Sequence, residues 1–491
     1  MKSIVSIVLL FLLNLSAFLY AVDKKYIPSN IDSVLSFNAN TLSQKANVNL
    51  QFALNSFFMQ EYANRYLEYR DDNFVVDVMT NKLNDYIDFS KTSRIVFFNG
   101  YQQMSIIFDV KNLTELDKLM IKMASQEDKL ISIADNATYR YLYLDEYNII
   151  SWNKDIFVIT SKLKNSYWYS EELNKDDIIN IVNYIFFNTV SLDNEKFLSL
   201  ENKNNDFYIW INLSTISENK NFAYYLFGED YDILRNIYKD AILTSELNFN
   251  NGYFNIISDI YTPNYTYDIR KEFADNIYNF VDGKNNYGFL SLAFNSKELP
   301  KQIIDIFKDF SYLPFYDKLE EYGIDTYKLL ELLGGDIFIS SFMNKENEIS
   351  LLASVSIVDI DAVKDILETL SGESSNDIYN IHGNYCYIRD SIIYISNELD
   401  VINSIINNEV PTEKIDSKKI DIAKNNTFVL YIENELFKNL SFIKSEIEFL
   451  ESMYFTINIL DNDHIQILFN MDMIDKEKNS LEIIKSFIDL E

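Results

Sequence analysis

The chain has 491 residues, of which 48% are hydrophobic, with one cysteine and a net charge of −31. That length and apolar content suffice for more than one ordinary core, and a lone cysteine excludes intramolecular disulfides. Such acidity repels phosphate backbones and anionic lipid, so nucleic acid is not an expected partner, and most of the carboxylates read as solvated surface.

The N-terminus is MKSIVSIVLLFLLNLSAFLYAVDKK. Lys2 supplies a positive start, Ile4 to Leu13 are apolar except for Ser6, and Leu19-Tyr20-Ala21 offers signal peptidase a small residue. Residues 1–21 are therefore expected to be a signal peptide cleaved after Ala21. An uncleaved anchor is the competing reading, because Ile4 to Val22 nearly spans a bilayer. No cysteine follows the apolar run, which argues against a lipoprotein, and no second segment is apolar enough to span a membrane. The expected location is exported, periplasmic or secreted.

Four segments read as a strand running into a polar residue and a short helix: 32–42, 206–216, 287–299 and 426–437. Strands are also expected at 93–98 and 335–340, each leading into a repeated strand–helix block. The first copy is MSIIFDVKNLTELDKLMIKM at 104–123, and the second is SLLASVSIVDIDAVKDILETL at 350–370. Setting Leu113 against Ile360 aligns their apolar positions, and it puts Asn112 and Asp359 where a helix N-cap is needed. Each block leads into a three-stranded meander, at 139–160 and 378–396. Paired strands follow at 244–262 and 453–473, turning at Asn251-Gly252 and at Asp461-Asn462-Asp463. Helical segments near 268–280 and 475–489 are expected to close the two halves.

This pattern predicts an α+β chain of two tandem homologous halves, 22–283 and 284–491, each a mainly antiparallel sheet with helices packed on one face. Residues 49–90 and 162–200 read as helical insertions in the first half. Tyr26-Ile27-Pro28-Ser29-Asn30, leading into DSVLSFNANTL, and the Leu-Leu-Gly-Gly-Asp run at 332–336 resemble an exported bacterial family catalogued as domain of unknown function 4836. The resemblance implies an envelope or secreted location and supplies no reaction.

Chemical signatures are sparse. A hydrolytic triad needs an imidazole, and only His382 and His464 offer one. His382 and Cys386 would form a thiolate–imidazole couple if they converged, but a turn histidine and a buried cysteine are the favoured reading. No zinc motif, phosphate loop, nucleophile elbow or EF-hand is legible, so no catalytic, cofactor-binding or metal-ligating residue is assigned. Aromatics cluster at Tyr141, Tyr143, Tyr147 and Trp152, which read as core, and at Tyr167-Trp168-Tyr169. Those last three are the candidate partner-binding residues. The expected function is a non-enzymatic exported protein that binds an envelope protein or polymer. The alternatives are a carrier or sensor of a small or lipid-like ligand, and a carbohydrate-active enzyme using paired carboxylates.

Overall fold

The computed structural model describes residues 26–488 apart from 49–84, 163–174, 219–236, 264–272, 302–322, 440–447 and several shorter stretches. The fold is α+β, dominated by antiparallel sheet, and the chain divides into two compact units. One unit holds residues up to Tyr231, Tyr238–Ser258 and Asp475–Glu491; the other holds Asp232–Ile237 and Asp259–Ile474.

The first unit contains β1 (Ser33–Phe37), β2 (Ser93–Phe98), β3 (Gln103–Asp109), β4 (Ser132–Ile133), β5 (Arg140–Tyr143), β6 (Asn148–Trp152) and β7 (Ile156–Lys162). It continues with β8 (Phe207–Asn212), β9 (Ile242–Asn250) and most of β10 (Tyr253–Tyr261). Pairing runs β10-β9-β8-β1-β2-β3-β7-β6-β5-β4. Its helices are α1 (Ala39–Lys45), α2 (Leu113–Gln126), α3 (Lys175–Phe187), α4 (Glu195–Glu201) and α5 (Leu213–Glu218). Asn112 caps α2 as the sequence expects, its Oδ1 accepting from the Glu115 amide at 3.3 Å.

Helices cover both faces of this sheet, where the sequence reading expected one. Successive strand residues point to opposite sides. On β6, Ile149 packs with Ile178 and Val182 of α3, while the Trp152 indole donates to Asp117 of α2 at 2.8 Å. The extra layer is the segment read as an insertion at 162–200, whose described part forms α3 and α4. Phe197 and Leu200 of α4 close over Val34, Val96, Tyr208 and Trp210. The other insertion, at 49–90, falls mostly outside the described residues.

In the second unit the strands are β11 (Asn286–Ala293), β12 (Leu333–Met343), β13 (Ile349–Ile357), β14 (Ser374–Ser375), β15 (Ile378–Ile381), β16 (Asn384–Arg389) and β17 (Ile392–Ser396). After them come β18 (Phe428–Glu433), β19 (Leu450–Asp461) and β20 (His464–Met473). Their order is β20-β19-β18-β11-β12-β13-β17-β16-β15-β14, antiparallel throughout. The helices are α6 (Thr326–Leu332), α7 (Ile360–Ser371), α8 (Leu399–Ile406), α9 (Ser417–Asn425) and α10 (Asn434–Asn439). Asp359 caps α7 through the Ala362 amide at 3.0 Å. Both faces are again covered: Ile393 packs under Val363 and Leu367 of α7, and its neighbour Tyr394 joins Ile402 and Ile405 of α8 on the opposite side.

Two expected helices differ. Residues 296–298 form turns, and helical backbone begins only at Leu299. Of the segment near 268–280, residues 275–280 are turns and 264–272 lie outside the described residues. The closing segment at the other end does form a helix, α11 (Ser480–Ile488), and it belongs to the first unit, where it packs on α1 and β9.

A buried ion pair marks the first sheet. Ser36 lies opposite Arg94 on one side and Tyr208 on the other, and Arg94 pairs with Glu201 of α4. The Arg94 side chain is 7% exposed, and burial pushes the Tyr208 hydroxyl pKa up. Glu201→Ala would strand a buried guanidinium and should lower stability by about 3–5 kcal/mol, whereas the double change Arg94→Met, Glu201→Leu should be close to neutral. Urea unfolding of both variants checks this contrast.

Candidate functional site

The imidazole that the sequence offers at His464 does acquire a carboxylate partner. His464 begins β20 directly after the Asp461-Asn462-Asp463 turn, so His464 and Gln466 share one side of the strand. Both reach the same Oδ1 of Asp259, at 2.9 Å from His464 Nε2 and 3.0 Å from Gln466 Nε2. Tyr261, two residues beyond Asp259, stacks on the imidazole with ring centroids 4.3 Å apart. The main chain adds a bond from the Thr262 amide to the Asp463 carbonyl at 2.8 Å. A histidine oriented by an aspartate is two-thirds of a hydrolytic triad. The hydrogen bonds of this cluster bring it a carboxamide and a backbone carbonyl, which suit a clasp between strands.

Cys386 and His382 are kept apart. Cys386 is 2% exposed beneath α7, among Tyr379, Ile393, Val363 and Leu367, and burial pushes its thiol up to about 11. His382 sits at an exposed turn with φ 51°, beside Gly383 at φ 84°. Among the described residues, no group of three His, Cys, Asp or Glu is placed to hold a metal.

The first meander's aromatics turn inward. Trp152 is fully buried, and Tyr139 stacks on Phe186 of α3 at 4.3 Å. Tyr141 meets Tyr139 at 5.9 Å and Tyr143 at 5.7 Å, leaving both half-buried. Tyr147, the candidate binding run Tyr167-Trp168-Tyr169 and the cleavage residue Ala21 lie outside the described residues.

An apolar edge escaped the sequence reading. Strand β4 pairs only with β5 among the described strands, so its other side is the sheet margin. Leu130 is 87% exposed, Ile133 63% and Ile121 on α2 56%. Ile133 stands opposite Arg140, whose guanidinium binds Asp117, one helical turn from Ile121. Exposed aliphatics on a sheet margin are a liability unless something covers them. The corresponding margin of the second unit, β14, is Ser374-Ser375. The signal was the Leu-Ile-Ser-Ile run at 130–133, too short to register as a strand by periodicity.

These features define an α+β protein whose most distinctive surface is an apolar sheet edge. No family model matches the chain. It is 50% identical over 142 residues to an "Uncharacterized protein in tlyA 5'region" of Brachyspira hyodysenteriae, a match that spans 29% of this chain and 93% of that protein. The chain belongs to the same family as that protein. Among solved structures it is similar to TP0453 (crystal form I), with 8% identity and a TM-score of 0.22 over 79% of this chain and 98% of the other.

The burial of Cys386 has a direct chemical consequence. A thiol at about 11 instead of 9.0 has about 100-fold less thiolate at pH 8. Iodoacetamide labelling of the native chain should therefore be slower than that of the urea-unfolded chain by about 100-fold or more, followed by intact mass.

Proposed function

We propose that the chain is an exported, tandemly duplicated binding protein that engages an envelope protein by adding a strand or apolar segment at the β4 edge. Export rests on the charged start, apolar run and small residue of Met1 to Ala21. The envelope setting rests on the same segment and on the resemblance carried by Tyr26–Asn30 and 332–336. Duplication is supported by strand order, since adding ten to every strand number of the first unit gives the order of the second. It is supported too by the matched caps at Asn112 and Asp359.

The observation that carries the binding reading is the exposure of Leu130, Ile133 and Ile121 at a sheet margin of an otherwise acidic chain. Main-chain hydrogen bonds from the side of β4 that no described strand pairs would supply affinity, and the aliphatic side chains would supply selectivity. A partner segment with apolar residues and flanking Lys or Arg fits the net charge of −31. The non-catalytic reading follows from the strand-clasp role of His464 and the sealed position of Cys386.

The test places a photo-crosslinking residue at position 133 and, as control, at Ser375 in β14, in cells that export the chain. A discrete adduct at 133 that is absent at 375, and lost on Leu130→Asp with the melting temperature unchanged, is the expected result. Identical adducts at both positions, or none at 133, would contradict the reading.

A further inference from the structure

The turn between β9 and β10 carries a chemical liability that the chain's last segment holds in check, away from the β4 edge. Asn251 and Gly252 form this turn, and Asn251 is exposed. An asparagine followed by glycine is the pair in which a carboxamide is most easily lost. With no side chain on Gly252 to obstruct the approach, its main-chain nitrogen can reach the Asn251 Cγ.

The reaction consumes one water and releases one ammonia. The Gly252 nitrogen gives its proton to solvent base and bonds to Asn251 Cγ. The Cγ–Nδ2 bond then breaks, and ammonia departs with a proton taken from water. Water opens the resulting five-membered imide at either of its carbonyls. One opening leaves an ordinary aspartate. The other leaves isoaspartate, in which the main chain runs through the former side chain and is longer by one methylene.

In the folded chain the first step is obstructed. The Gly252 N–H donates to the Lys478 carbonyl at 2.9 Å, so its proton is held and its nitrogen faces the returning chain. Rotating that peptide toward Cγ must break this bond, in a space already closed by Lys476. The Lys476 Cα is 2.8 Å from where a Cβ on Gly252 would stand. Asn251 itself forms an antiparallel bridge with Asn479. The Asn479 Nδ2 donates to the Phe249 carbonyl at 3.0 Å, and its Oδ1 accepts from the Leu481 amide at 3.0 Å, which ties the bridge to the start of α11. Ile483 and Ile484 of α11 are buried, and the helix packs on α1 and β9. A short helix at a chain terminus is an element that opens locally while the rest stays folded.

We propose that Asn251 is a deamidation site gated by residues 475–488. Docked, the segment suppresses the reaction; isoaspartate formed during an opening keeps the segment from docking again. The second effect follows from length. One extra methylene displaces the Gly252 amide by about 1.5 Å, too large a shift for the 2.9 Å bond to Lys478 to persist. The modification turns a reversible opening into a permanent one and marks chains whose terminal segment has been released.

The full chain, incubated at mildly alkaline pH, is followed by peptide mapping at Asn251, because the other Asn-Gly pair, Asn99-Gly100, would confuse an intact mass. Asn251 should convert about 10-fold or more slowly in the native chain than in the guanidinium-unfolded chain. Asn479→Ala should recover much of that difference while β12 and β13 stay protected from hydrogen exchange. Should this variant unfold, denaturant below the global transition of the unaltered chain decides the matter: the rate at Asn251 should rise there before β12 and β13 lose protection. The isoaspartate fraction, separated by ion exchange, should show faster exchange of α11 amides than the unmodified fraction. Equal rates in native and unfolded chains, a rate unmoved by Asn479→Ala or by sub-denaturing conditions, or full protection of α11 in the isoaspartate fraction would overturn the proposal.

Discussion

The backbone of Phe249 and Gly252 is the point on which the first unit turns. The Phe249 amide donates to the buried Asp206 carboxylate at 2.6 Å, and its carbonyl accepts from Lys45 Nζ at 2.7 Å and from Asn479 Nδ2 at 3.0 Å. Lys45 also binds Asp206, at 2.7 Å, so α1, the residue that leads into β8, the β9 strand and the chain's last segment converge on one residue, Phe249. Burial raises the Asp206 pKa against the pull of Lys45 and the Phe249 amide. Gly252 completes the arrangement. Its φ of +74° suits glycine, and a Cβ would lie 2.8 Å from the Lys476 Cα, so the returning chain can pass only over a residue without a side chain. The Gly252 amide then donates to the Lys478 carbonyl at 2.9 Å, and α11 begins two residues later.

The rest of the fold follows from covering sheets whose strands are apolar on both sides. A strand such as Ser33–Phe37, buried at every position, cannot tolerate a solvated face. Each unit therefore recruits helices to both surfaces, and polar groups caught inside must be answered there. Arg94 finds Glu201, Trp152 finds Asp117, and Ser105 finds Thr160 across the β3–β7 pair at 2.9 Å.

Local features were legible in the sequence because local chemistry decides them. The SRIVFF strand appears as β2 with the expected bounds, and Asn112 and Asp359 cap helices since a short side chain needs only the next turn's amides. The meanders were readable from alternation and turn residues. The second helical layer was not, because a strand buried on both faces loses the alternation that identifies its inner side. Nor was the destination of residues 475–488, since an amphipathic helix announces its apolar face and not the unit that receives it. His464 opens β20 just after the Asp461-Asn462-Asp463 turn that the sequence shows, but its Asp259 partner lies 205 positions away and is invisible to any local pattern.

The central structural claim, that the chain's end completes its beginning, is tested most directly by hydrogen exchange on a chain ending at Ile474. The account predicts that amides of β9, β10 and α1 lose protection although every strand of the first unit is still present, while β12 and β13 keep theirs. Unchanged protection across residues 39–48 and 242–258 would contradict it.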